Sequence, residues 1–168
     1  MIDRRRQVAW ILMLIVDAGF IAWGAGAIWP DHLLGPGGVP ILPAGYQGYS
    51  NSSWSLLMHR SPLAAAYMIV LYRMYGIFNV AFGVMASAIA VTAFRRGETW
   101  AWWALLAGNT ITLVSAITYD RVVNAIGPFE MSEYLGLALV YVALALTAVR
   151  GKPRRTAPVE RLEPASYR

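Results

Sequence analysis

The chain has 168 residues, of which 58% are hydrophobic and only 14% charged, a composition that fits one compact membrane domain. It contains no cysteine, so a disulfide framework, a zinc–thiolate site and a cysteine nucleophile are excluded. The net charge of +5 does not point to a nucleic-acid partner, because the basic residues stand in short blocks beside apolar runs, as membrane spans require.

The first apolar run, residues 8–29, follows Arg4-Arg5-Arg6 and is long enough to cross a bilayer once. Ala25-Gly26-Ala27 resembles a signal-cleavage site, but the run exceeds a signal core and Asp17 interrupts it, so it reads as a retained span. Residues 30–62 hold Pro30, Gly35-Pro36-Gly37-Gly38, Pro40 and Pro43, and this turn chemistry predicts one long loop. Tyr46, Tyr49, Trp54 and the patch Leu56-Leu57-Met58 suit a loop that lies on the membrane surface or on a partner. The sequon at Asn51-Ser52-Ser53 is read as a chance match.

The second span, residues 63–94, carries one charge, Arg73, and one strongly polar amide, Asn79. Gly76, Gly83, Ser87 and Ala90 follow Arg73 at offsets of 3, 10, 14 and 17, a small-residue stripe that lets another helix come close. The turn Arg95-Arg96-Gly97-Glu98 leads to Trp100, Trp102 and Trp103, an interfacial aromatic cluster, and to the third span, residues 99–120. Gly108, Thr112, Ser115 and Tyr119 recur there at helical spacing beside Asn109, so this polar stripe is expected to face protein. A short loop around Gly127-Pro128 precedes the fourth span, residues 131–149. The chain thus divides into a four-span domain, residues 1–149, and a basic tail, residues 150–168, whose prolines and polarity predict disorder.

Four spans put the amino terminus, the 95–98 turn and the tail on one side. That side holds Arg4, Arg5, Arg6, Arg95, Arg96, Arg150, Lys152, Arg154, Arg155, Arg161 and Arg168; the other holds Arg60 and Arg121. The bias predicts both termini in the cytoplasm of a bacterial plasma membrane, with residues 30–62 outside.

Rise per residue puts Asp17 about 14 Å into the first span, Asn109 about 15 Å into the third and Tyr141 about 12 Å from the end of the fourth. All three depths are measured from the same side, so the three residues are expected to meet. A buried acid pairs, hydrogen-bonds or stays protonated. The simpler reading of Asp17 is a neutral acid bonded to Asn109 or a hydroxyl as interhelical glue; the alternative is a proton or ligand site. On the first reading Asp17→Asn is silent, and on the second it inactivates. Arg73 lies about 31 Å above Phe94, level with Asp120 at the end of the third span. An Arg73–Asp120 ion pair closing the bundle is the structural reading, and an anionic headgroup held by Arg73 the functional one. Asp31, His32, His59, Glu130 and Glu133 are too scattered to predict a metal site. There is no G-x-S-x-G, H-E-x-x-H or P-loop, and no cofactor is expected.

At Arg73-Met74-Tyr75-Gly76 and Phe94-Arg95-Arg96-Gly97-Glu98-Thr99-Trp100-Ala101-Trp102-Trp103 the chain resembles the small four-helix membrane proteins of actinobacteria in the broad DoxX-like group. The resemblance implies a four-helix bundle and carries no catalytic residue with it. The fold class expected is all-α: a four-helix transmembrane bundle with one long extracytoplasmic loop. The leading functional expectation is a non-enzymatic accessory subunit of a larger inner-membrane complex, such as a lipid or cell-envelope transporter. Its partners would be membrane lipids and other membrane-protein subunits. Two alternatives stand beside it: a protein binding a lipid or sterol-like ligand, with Arg73 at the headgroup, and a quinone-linked redox subunit suggested only by family analogy.

Overall fold

The computed structural model describes residues 4–29, 40–124 and 128–148. Six helices follow in order: α1 Arg4–Ile28, α2 Ile41–Ser50, α3 Trp54–Arg60, α4 Pro62–Ile89, α5 Thr99–Val122 and α6 Pro128–Ala148. A π-helical turn, Ala90–Phe94, continues α4. No strand element occurs among the described residues. Four helices, Arg4–Ile28, Pro62–Phe94, Thr99–Val122 and Met131–Ala148, are long and apolar enough to cross a membrane. Their outward faces expose large apolar side chains such as Val8, Phe78, Met85, Ile111 and Val142. Water would penalise such a surface, and lipid does not.

The four long helices form a ring in the order α1, α4, α5, α6, with α1 and α5 at opposite corners. Their basal end carries Arg4–Arg6, the 95–98 turn and Ala148; their distal end carries α2 and α3. The packed core sits in the basal half. Met13, Phe94, Leu105, Val140 and Leu144 are fully buried there. The Trp102 indole donates to the Leu144 carbonyl at 3.1 Å, tying α5 to α6.

The small-residue stripe works as a contact between α4 and α1. A Cβ at Gly76 would lie 2.6 Å from the Gly24 carbonyl oxygen, and one at Gly24 would lie 2.5 Å from that of Gly76. A Cβ at Gly83 would lie 2.8 Å from the Asp17 carbonyl oxygen. Ala90 is buried farther down, whereas Ser87 is only half-buried. Close approach brings backbone against backbone, which is how helices gain contact where lipid offers no hydrophobic drive.

Two expectations need correction. Residues 41–60 do not form an open loop; they fold as α2 and α3, and residues 30–39 lie outside the described residues. Pro40 and Pro43 misled the reading as breakers. Pro40 is the residue before α2 and Pro43 falls in its first turn, where a missing N–H costs nothing. The Ser53 hydroxyl caps α3 by accepting from the Leu56 N–H at 3.2 Å. The second correction concerns α5. Its buried line is Ala101, Leu105, Asn109 and Leu113, while Ser115 and Tyr119 are exposed. The predicted stripe thus flanks the buried line: Gly108 packs against Phe82 and Tyr119 reaches the cavity, whereas Ser115 does not face protein. The expected tail disorder concerns residues outside the described ones.

The basal turn depends on Gly97, at φ +82°. Its N–H reaches the Phe94 carbonyl at 2.9 Å, and a Cβ there would lie 2.7 Å from the Arg6 guanidinium. Arg6 in turn donates to the Arg96 carbonyl at 3.3 Å. Gly97→Ala should cost about 1 kcal/mol from the left-handed backbone alone. Thermal unfolding in detergent reads this as a lower midpoint, and an unchanged midpoint would contradict it.

Candidate functional site: a cavity in the distal half of the bundle

Above the packed core the four helices do not fill the space between them. A cavity of about 270 Å³ is left, walled by all four and covered by α2. The cause is local side-chain size. At this level α1 offers Gly19, α5 Ala116 and α6 Gly136. A Cβ built on Gly19 would meet nothing within 4 Å.

The basal end is closed by apolar side chains. Val16, Phe20, Leu113 and Leu139 line it. Phe82 meets Phe20 edge-on with centroids 5.0 Å apart and lies against Gly108, so the α1, α4 and α5 walls join below the cavity. The distal end is covered by Ile41, Leu42 and Gly45 of α2. Gly48 lies against the Val123 carbonyl, and a Cβ on Gly45 would stand 3.8 Å from the Tyr119 hydroxyl. Tyr46 packs edge-on against Trp54 at 5.7 Å, which couples this cover to α3.

α4 and α5 are the least intimately packed neighbours in the ring, and Tyr75 and Tyr119 line the cavity from these two helices. Both tyrosines are substantially exposed, at 41% and 55%. The polar groups on the wall are Asn79, Asp120, Ser132 and Glu133 together with the tyrosines. The Asn79 amide donates to the Tyr75 carbonyl at 3.0 Å.

The sequence-predicted residues divide by place. Asn79 and Asp120 line the cavity. Arg73 does not; it is exposed on the outer face of α4 and makes no hydrogen bond or ion pair with Asp120. Tyr72, its neighbour, faces the cavity, and one residue of helix turns Arg73 about 100° away. Asp17 and Asn109 are both 0% exposed in the core, below the cavity wall. The expected bond between them is absent: neither Asp17 carboxylate oxygen has a hydrogen-bond partner. The Asn109 amide donates instead to the Leu105 carbonyl at 3.1 Å, and its own oxygen is unpartnered. Tyr141 turns outward and shares a 3.3 Å hydrogen bond with Thr110, so it does not join Asp17.

Trp23, Tyr72, Tyr75, Tyr119 and Glu133 line the cavity without having been read as a site. A signal was present in their spacing. Val16, Phe20 and Trp23 share one face of α1, and Tyr72, Tyr75 and Asn79 one face of α4, at intervals of three and four residues. No group of three or more metal-ligating His, Cys, Asp or Glu side chains occurs among the described residues. Comparison with family models, curated proteins and solved structures finds no match to this chain.

Proposed function

We propose that this chain is a multi-pass protein of the bacterial plasma membrane, with both termini cytoplasmic, that binds a small amphiphile in its distal cavity. The observation that carries the reading is the cavity itself: enclosed at its basal end, apolar over most of its wall and polar near the distal end. A site of this kind, concave and apolar with a few convergent polar groups, is the usual form of a small-molecule site. Its volume limits the ligand. About 270 Å³ is nearly twice the roughly 150 Å³ cavity that takes up benzene, and falls short of the roughly 300–1,000 Å³ of sites for drug-sized molecules. One ring or a short alkyl chain suits it better than a whole sterol. The resemblance to the DoxX-like group names no ligand. An accessory-subunit role draws no support of comparable strength, because the exposed apolar faces of the long helices are what lipid contact alone requires.

The test uses the full chain purified in mild detergent. Solvent extraction and mass spectrometry should recover a small amphiphile in near-stoichiometric amount. Ala116→Phe projects a ring into the cavity. It should lower recovery by about tenfold or more while leaving the unfolding midpoint equal or higher, since it fills space rather than removing packing. Equal recovery from both chains, or none from either, would overturn the reading.

A further inference from the structure

Guanidinium groups from two distant parts of the chain meet at the basal corner of α1. Arg6 belongs to α1 and is half-buried, whereas Arg95 and Arg96 are exposed just after the π-helical turn. Arg6 donates to the Arg96 carbonyl, and its guanidinium fills the space that a Cβ on Gly97 would take. The Arg95 guanidinium lies 5.2 Å from the centre of the Trp10 ring. Arg6 and Trp10 are one turn apart on the same face of α1, so both guanidiniums are held along that face. The carboxylate of the turn is engaged elsewhere: Glu98 accepts from the Trp100 indole at 2.6 Å. Among the described residues no carboxylate pairs with Arg6, Arg95 or Arg96.

We infer that this corner binds the phosphate of an anionic phospholipid, with Arg6 and Arg95 donating to its oxygens and an acyl chain lying along Val91 and Val84. Like charges held close together repel, and an anion between them removes the repulsion. A guanidinium carries five N–H donors in a planar fork suited to phosphate, and the bond to Arg96 leaves Arg6 most of them. Stacking on Trp10 orients the Arg95 fork without using its N–H groups. Val91 and Val84, above Arg95 on the same rod, are exposed, as are Val8 and Ile11 on α1. A free anion has no use for these apolar groups, whereas a lipid has. Trp100 and Trp103 are also exposed at this end, as indoles at headgroup level are. The inference rests on the basal end lying at a membrane surface and is independent of the cavity reading. It also goes beyond the general attraction of basic residues to an anionic leaflet, which weighs every arginine alike. Arg4, two residues from Arg6 and so about 200° round α1, supplies the comparison.

The probes are dioctanoyl phosphatidylglycerol, dioctanoyl phosphatidylcholine and inorganic phosphate. Each is titrated calorimetrically into the full chain in a neutral detergent, and the series is repeated with Ala116→Phe so that the distal cavity does not contribute. Phosphatidylglycerol should bind about tenfold tighter than phosphatidylcholine. Arg6→Gln and Arg95→Gln should each weaken it about fivefold, and Arg4→Gln by less than about twofold, with phosphatidylcholine unchanged throughout. Arg95→Lys keeps the charge without the planar fork and should fall between Arg95→Gln and the parent, so the test stands if one glutamine variant does not fold. Equal binding of the two lipids, or an equal loss in Arg4→Gln and Arg6→Gln, would overturn the site. Inorganic phosphate binding as tightly as phosphatidylglycerol would overturn its assignment to a lipid.

Discussion

Gly76→Leu is expected to unfold the bundle or leave it aggregated in detergent. The Gly76 Cβ position is 2.6 Å from the Gly24 carbonyl oxygen and 3.0 Å from the Ile28 nitrogen, both of them backbone atoms of α1. A side chain can swing away from an intruding group, whereas a helix backbone moves only as a whole. To admit a leucine, α1 must retreat by more than an ångström. It would then lose its contact at Gly83 as well, where a Cβ would stand 2.8 Å from the Asp17 carbonyl. Overpacking that side chains can absorb costs about 1–3 kcal/mol, and this case exceeds that range because nothing flexible can yield. Gly108→Ala is the control. Its Cβ would meet only the edge of the Phe82 ring, at 3.2 Å, which a ring rotation relieves. Size-exclusion profiles and thermal unfolding of the two variants should differ sharply. A monodisperse Gly76→Leu protein with an unshifted midpoint would show that the helices meet elsewhere.

Asp17→Val should make the protein more stable. Asp17 is fully buried and both its carboxylate oxygens lack a partner. A buried polar group without a hydrogen bond costs about 1–3 kcal/mol by mutational measures, and replacing it with an apolar group of similar shape removes that cost. Valine is close to aspartate in shape and suits a helix in apolar surroundings. The expected result is a midpoint higher by several degrees, with Asp17→Asn nearer the parent because the amide remains unpartnered. A lower midpoint for Asp17→Val would mean that the carboxyl group makes a stabilising interaction in the membrane-embedded protein. Asp17 follows Val16, which lines the cavity. The same two variants should therefore be carried through the amphiphile recovery, to see whether any gain in stability comes at the expense of binding.

The four long helices were legible because each is an apolar run with few interruptions, and the bilayer sets a length that such runs must meet. The α1–α4 contact was legible in part. Gly76 and Gly83 announced a close approach, but nothing in their own segment named Gly24 as the other half. The site was harder to read. Depth was argued from rise per residue, which gives height and ignores rotation. Tyr141 has the right height and faces outward; Arg73 and Tyr72 differ by one residue and point to different surroundings. A cavity is less visible still, because it is a shortfall in volume shared among helices. Gly19, Ala116 and Gly136 are unremarkable singly and leave a void only when the fold sets them at one level. α2 was hidden by its prolines, which break a helix in its middle and are tolerated at its start.

The length of the α4 rod bears on where the cavity sits in a bilayer. Pro62–Phe94 contains 33 residues, about 50 Å of helix against a hydrocarbon core of about 30 Å. Two adjustments are open to such a rod: leaning over, or standing clear of the lipid at one end. With Phe94 at the basal interface, Tyr75 lies about 28 Å above it, near the boundary between acyl chains and headgroups. A bilayer only a few ångströms thicker would bring that tyrosine among acyl chains, and a thinner one would leave it among headgroups and water. Lipid composition would thereby set the surroundings of this cavity-wall residue, with no change in the sequence.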